Sequence, residues 1–195
     1  MSAKVPVTRP GGRTADVRRR IFQATTALLV EGGVPAVTFQ AVAARASVGR
    51  ATLYRRWTEP LTLIVDAIRE AASESIAIPD TGCLEEDLRR VLQRIARFIR
   101  SPIGRAALIA GLSTKQDRAN ISMEQSYWAI RWTDVVSIFE RAAKRGDIAA
   151  NGDYEMRFAQ AAGAIYFRAI VMNLPVDSDW ILRAVRDALG NRRGR

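Results

Sequence analysis

In the stretch VGRATLYRRWTEP, Val48 to Pro60, three arginines, a tyrosine and a tryptophan stand among small, helix-competent residues and beside a single acid. Arginine is the side chain best fitted to read guanine, because its planar fork spans O6 and N7. Threonine offers a hydroxyl and a methyl, which suit a phosphate or a thymine edge. A tyrosine hydroxyl can reach a phosphate without bringing charge. On a helix running from Gly49 or Arg50 to Trp57, Leu53 turns toward Val42 and Val48. Arg50, Thr52 and Arg55 then project away from that core, with Tyr54 and Trp57 at its edges. Such a helix packs on one side and meets something negative on the other. Each residue also has a plainer reading: Arg50 and Arg55 as solubility charges, Tyr54 as partly buried surface, Trp57 as packing.

The charge of the whole chain leans the same way. Residues 1–57 carry ten Lys/Arg against Asp16 and Glu31 only, and so hold eight of the net +10. A one-sided field of this kind draws a polyanion to one end of the molecule, whereas a solubility coat would be spread evenly. Nucleic acid is the reading the distribution favours, with an anionic membrane as the weaker rival. Arg13, Arg18 and Arg19, at the start of the first helical pattern, are further candidates for a phosphate contact.

The elements that must position these residues are all helical. Residues 1–12, with Pro6, Pro10 and Gly11-Gly12, read as a flexible arm. Val17, Ile21, Ala24 and Leu28 then mark a first helix, stopped by Gly32-Gly33. Thr38 can cap a short second helix to Arg45, and a break at Ala46-Ser47-Val48 leads into the third. Two short helices so spaced are a helix-turn-helix, whose second member enters the roughly 12 Å wide major groove. The head therefore spans 13–60, followed by a bridging helix over 59–77 with Thr58 as its expected N-cap and Pro60 in its first turn. After the Pro79–Gly82 boundary, residues 81–190 form a second helical domain, and 191–195 a basic tail. Nine helices and no strand pattern make the fold class all-α.

The run TFQAVAARASVGRATLYRRWTEPLTLIVDAI resembles the TetR family of bacterial transcriptional regulators. The resemblance covers residues 14–68 and rests on Gly32-Gly33, Thr38, Val42-Ala43, Val48, Thr52-Leu53-Tyr54-Arg55 and Trp57. It implies that Thr38 and Tyr54 hold the phosphate backbone and that Gly49, Arg50, Thr52 and Arg55 meet base edges. It also implies a homodimer on a roughly palindromic double-stranded DNA operator, with a variable C-terminal ligand domain. Two positions depart from the family pattern. Ser47 stands where glycine is usual in the turn, and Pro60 where a lysine usually reaches a phosphate.

The C-terminal half is rich in apolar helix faces. Phe98, Met123, Trp128, Trp132, Phe158 and Tyr166 read individually as core; as a group, the resemblance makes them candidates to line a pocket for a small hydrophobic or aromatic effector. The last helices, about 152–173 and 177–189, carry Ala159, Ala162, Gly163, Phe167, Ile170 and Val171, where small residues allow close approach and larger ones supply apolar area. They read as a dimer seam, two helices from each subunit, or else as closure of the monomer core.

Several classes fall away. The chain has no histidine and a single cysteine, Cys83, which excludes imidazole catalysis, His-ligated zinc and an internal disulfide. Glu85-Glu86-Asp87 are adjacent acids in a first helical turn, where they favour the helix dipole without any chemistry. No catalytic residue, metal or cofactor is therefore expected. No apolar run suits a membrane span or a signal peptide, so the cytoplasm is the default. The expected function is a ligand-responsive repressor; an activator of the same fold, or a helical ligand-binding protein without DNA function, stands as the alternative.

Overall fold

The computed structural model describes the backbone of residues 10–75, 78–113, 118–150 and 152–190, and the side chains of 14–73, 78–110, 132–150 and 152–190. All regular structure among the described residues is helical: α1 Pro10–Ala36, α2 Phe39–Ala46, α3 Arg50–Tyr54, α4 Pro60–Ser75, α5 Leu84–Arg100, α6 Pro102–Ser113, α7 Arg118–Arg145, α8 Tyr154–Tyr166, a π-helical turn Phe167–Val171, and α9 Ser178–Leu189. The chain divides into two compact units between Glu70 and Ala71. The arm and tail lie largely outside the described residues, although α1 begins at Pro10, inside the segment read as an arm.

In the first unit, α1 runs straight to Gly33, where φ 68° and ψ −166° break it before a last turn to Ala36. Only glycine takes that backbone state without strain, which is why the Gly32-Gly33 pair works as the stop. Ile21, Phe22, Ala24 and Leu29 are the buried face of α1, so the apolar stripe swings to Leu29 and leaves Leu28 half-buried. With Phe39, Val42, Ala43 and Ala46 of α2, Leu53 of α3, and Leu63, Ile64 and Ala67 of α4 they make up the buried apolar core of this unit. Thr25, buried among them, donates its hydroxyl to the Ile21 carbonyl at 2.8 Å and so leaves no unpaired donor. The expected Thr58 cap is corrected. Pro60 is the first residue of α4, which makes Glu59 the flanking residue, and proline suits that first position because its missing N–H would have no helical partner there.

The second unit is built on α5. Leu84, Leu88, Val91, Leu92, Ile95 and Ile99 form a cluster with Val135, Ile138 and Phe139 of α7, Ala161 and Ile165 of α8, and Ile181 and Val185 of α9. Phe139 is fully buried and stacks on Tyr154 at 5.1 Å between ring centroids. Ser101 accepts from the Gly104 amide at 3.1 Å and caps α6 ahead of Pro102. A Cβ at Gly104 would run into the Phe98 carbonyl, so glycine there sets how closely α6 approaches the end of α5. Arg186 donates to Glu85 at 2.9 and 3.0 Å, tying α9 to the first turn of α5. Hydrogen bonds from Arg89 and then Arg90 hold the Glu86 carboxyl down at about 2.

Two further boundaries differ from expectation. Asn151 lies outside the described residues, and Asp153 caps α8 by accepting from the Met156 amide at 2.9 Å. The helix read as continuous to 173 changes form after Tyr166 into the π-helical turn, closed by the Met172 amide on the Phe167 carbonyl at 3.0 Å. Asn173, with φ 52°, then turns the chain away.

Because Phe139 has no exposed surface and a stacked partner, Phe139→Ala is expected to cost about 3–5 kcal/mol. Chemical denaturation checks this: the midpoint should fall with the slope preserved, and a loss under about 1 kcal/mol would mean that the site collapses around the missing ring.

Candidate nucleic-acid interface

The recognition element is assembled from short pieces. Thr38 has extended backbone (φ −113°, ψ 154°), and its Oγ1 accepts from the Ala41 amide at 3.1 Å, capping α2 as its position predicts. That bond uses a lone pair and leaves the hydroxyl proton free to donate. Nine residues later α2 ends at Ser47 in the left-handed conformation, φ 52° and ψ 51°. The Val48 amide closes onto the Ala43 carbonyl at 3.0 Å, the Schellman pattern for a helix end. A serine in that state costs on the order of 1 kcal/mol relative to glycine. The turn is kept with serine in it.

The helix that follows is shorter than its sequence pattern. Expected to reach Trp57, α3 ends at Tyr54, and Arg55 and Arg56 form a turn. The Arg56 and Trp57 amides both bond to the Leu53 carbonyl at 2.9 Å, so the last turn is tightened rather than lost. Leu53 is fully buried, and Trp57 is buried with its ring 6.0 Å from Phe22 and its Nε1 donating to Asp66 at 2.9 Å. Tyr54 sets its ring edge against Phe39 at 4.8 Å and 80°, which ties the end of α3 to the start of α2 beside Thr38. It remains 63% exposed. Thr38, Gly49, Arg50, Arg55 and Arg56 are exposed as well, while Thr52 is half-buried.

The arginines of this unit separate into two sets. Arg18 lies 3.0 Å from Glu70 and 5.0 Å over the Phe22 ring. Arg19 donates to Asp16, and Arg20 Nε lies 3.2 Å from the same carboxylate. Arg45 grips Glu31 through both terminal nitrogens, one bond being 2.6 Å. Hydrogen bonds from Arg45 hold the Glu31 carboxyl below its usual range, and the Arg19 hydrogen bond, then the nearby charges of Arg19 and Arg20, do the same for Asp16. The side chains of Arg50, Arg55 and Arg56 have no hydrogen-bond or ion-pair partner among the described residues. The only two acids before residue 58 are thus engaged by arginines outside α3, and no described acid pairs with the three arginines of α3 and its terminal turn.

Against the residues singled out in the sequence, the structure gathers Thr38, Gly49, Arg50, Tyr54 and Arg55 on the exposed parts of α2 and α3. Arg18 is engaged inside its own unit, and the Arg13 side chain lies outside the described residues. Arg56 and Arg20 were missed. Arg56 was legible as a third arginine of the same run, whereas Arg20 acts on Ala46, 26 residues along the chain, and local pattern carries no trace of that contact.

In the second unit, Phe98, Trp132, Phe158 and Tyr166 are half-buried against the core, with the Trp132 and Phe158 rings 6.1 Å apart. The side chains of Met123 and Trp128 lie outside the described residues. Of the seam candidates, Ala159, Gly163, Phe167, Ile170 and Val171 are exposed, Phe167 by 57% and Val171 by 69%. Ala162 is corrected: it is 7% exposed and shares the inward face of α8 with Ala161 and Ile165. Met156, one turn before Ala159, is exposed on the same helix and was missed. No described helix is long and apolar enough to cross a membrane, and no His/Cys/Asp/Glu group among the described residues could hold a metal ion.

Two family models match the chain in register with these units. Residues 21–59 match bacterial regulatory proteins of the tetR family, and residues 78–188 match the tetracyclin repressor-like C-terminal domain. The HTH-type transcriptional regulator AqdR of Rhodococcus erythropolis is 32% identical over 79% of this chain and 74% of its own length. The crystal structure of the TetR family transcription regulator SCO0332 superposes with a TM-score of 0.75 at 28% identity, over 92% of this chain and all of that one. The transcriptional regulator FadR of Bacillus subtilis, solved in complex with stearoyl-CoA, shares the fold at a TM-score of 0.67 and 14% identity, over 86% of this chain and 96% of that one. With a helix-turn-helix whose exposed charge is all positive, and with both of its units matched, the chain belongs to the TetR family of DNA-binding transcriptional regulators and is not an enzyme.

Proposed function

We propose that the protein is a repressor that binds a roughly palindromic operator as a homodimer and leaves it when a small hydrophobic effector binds the C-terminal unit. The observation that carries the reading is the sorting of arginines: Arg50, Arg55 and Arg56 are uncompensated on α3 and its last turn, while Arg18, Arg19, Arg20 and Arg45 are paired with carboxylates. In this reading Arg50 and Arg55 meet base edges with Gly49 and Thr52, and the free protons of the Thr38 and Tyr54 hydroxyls go to phosphates. Pro60 gives no charged contact at the start of α4, though the amides behind it can receive a phosphate. Replacing Arg55 with Ala is expected to weaken a selected operator by about 1–3 kcal/mol and to flatten discrimination at one base pair per half-site. Equal loss on operator and scrambled duplex would reduce Arg55 to a phosphate contact.

The dimer reading rests on a stripe that the monomer leaves uncovered. Met156, Ala159, Gly163, Phe167, Ile170 and Val171 are exposed at helical spacing along α8 and the π-helical turn, and the small residues among them let a second helix come close. Two-fold symmetry in the protein demands it in the DNA. Val171→Glu adds charge where the monomer is exposed, so the subunit should still fold while sedimentation at micromolar concentration moves from dimer to monomer mass. A wild-type chain that sediments as a monomer on its operator would end this account.

The effector reading rests on Trp132 and Phe158, half-buried and in contact distance between α7 and α8, with Phe98 and Tyr166 on the same core. The Bacillus FadR was solved with stearoyl-CoA, a ligand with a long apolar acyl chain, and this supports a hydrophobic effector class here. Moving the DNA-competent population from about 99% to 1% requires roughly 5.5 kcal/mol of preference for the released state. Operator release by an apolar compound library should therefore share its midpoint with a change in tryptophan fluorescence. Trp132→Ala should blunt that response and leave ligand-free operator affinity within about twofold. Release unaltered by the substitution would put the effector elsewhere.

A further inference from the structure

Arg20 lies on α1, yet its Nη1 donates to the Ala46 carbonyl at 2.9 Å and reaches the Ser47 carbonyl at 3.4 Å. Both oxygens belong to the end of α2, where carbonyls lack helical partners and the helix dipole is negative. The guanidinium is itself steadied from one turn back, by Asp16 at 3.2 Å from Nε. Ser47 is the residue in the left-handed conformation, and Gly49, two positions on, is the N-cap of α3. We propose that Arg20 is a positioning residue for sequence readout: braced by Asp16, it clamps the left-handed turn at Ser47 and so sets the direction in which α3 leaves α2.

The inference rests on the operator reading and goes beyond it by giving a non-contacting arginine control of specificity. A turn built on glycine would hold the left-handed state without help, because glycine visits it at no steric cost. With serine there, other backbone states compete, and a cation joined to two successive carbonyls favours the one in which both point the same way. Leu53, fully buried, and the Tyr54 edge on Phe39 hold the middle and far end of α3; the turn at Ser47 holds its start. Arg45, which lines the same shallow depression as Arg20 and Ser47, is taken up by Glu31 and supplies no bond to these carbonyls.

The test is a double-mutant cycle in the full-length protein, with a selected operator and a scrambled duplex of equal length. Arg20→Gln is expected to weaken operator binding about tenfold or more and scrambled binding less, so the specificity ratio falls. The slope of log affinity against log salt should stay unchanged, because no phosphate contact is lost; losing one would lower it by about 0.9. Ser47→Gly alone should leave operator affinity within about twofold, and in the Arg20→Gln background should recover at least about threefold. A lower salt slope with equal loss on both duplexes would make Arg20 a phosphate contact and overturn the proposal. So would a Ser47→Gly effect of the same size in both backgrounds. Should Arg20→Gln melt too early to assay, Arg20→Lys keeps the charge with a single donor head and is expected to give a smaller loss of the same pattern, also relieved by Ser47→Gly; absence of that relief overturns the idea equally. Wild-type protein that binds no selected duplex refutes the operator reading itself, whereas wild-type binding without coupling refutes only the role of Arg20.

Discussion

A helix of five residues cannot hold itself together. The first turn fixes several backbone angles for a single hydrogen bond, and isolated helices much longer than α3 are marginal in water. Everything around α3 follows from that constraint. Its shape has to come from outside, and three contacts supply it: the buried Leu53, the edge of Tyr54 against Phe39, and the indole of Trp57 held by Asp66 and Phe22. Only Leu53, among the five residues of α3, is buried, so the element keeps the rest of its perimeter for other molecules. A helix anchored by one leucine and two flanking rings is rigid without being covered.

The same economy governs charge. Ion pairs between exposed side chains contribute little to stability, so the pairs of Asp16 and Glu31 with arginines do not explain why the head folds. What they do is remove candidates. They engage Arg19, Arg20 and Arg45, three arginines of the head outside α3. Among the described residues before 58, the arginines left without a carboxylate are Arg50, Arg55 and Arg56. The paired arginines hold the Asp16 and Glu31 carboxyls below their usual range, so both stay ionised, and these pairs stay charged, at neutral pH.

How much of this could be read from residues alone depends on the distance over which each feature acts. The Thr38 cap, the Gly33 stop and the Ser101-Pro102 start of α6 each act within about one turn, and residue type sufficed for them. Leu53 and Val42 were legible because burial follows helical period. Thr58 was misplaced by one position because its capping preference had to be weighed against Pro60, and proline's fit to the first helical position prevailed. Ala162 was misassigned for a different reason: small residues line both faces of α8, so composition does not say which face is outward. Arg20 and Arg45 act across 26 and 14 residues, and only the folded chain brings their partners near.

The π-helical turn after α8 is the feature furthest from any sequence signal, and it has a physical consequence. Each i→i+5 bond places one extra residue in a turn, so the side chains that follow are rotated backward relative to a continuous α-helix. In α8 the exposed residues Ala159 and Gly163 lie opposite the buried Ala161, Ala162 and Ile165, a division that an α-helix would carry forward unchanged. From Phe167 to Val171 none of the five residues is buried, and Phe167, Ile170 and Val171 are all exposed. Ala169 still packs against the core, and the wider turn leaves Phe167, Ile170 and Val171 as its exposed apolar side. One residue of altered winding enlarges the uncovered surface at the end of α8, with no added segment and no loss from the core, because Ile165 and Ile181 still close the interior just before and after it.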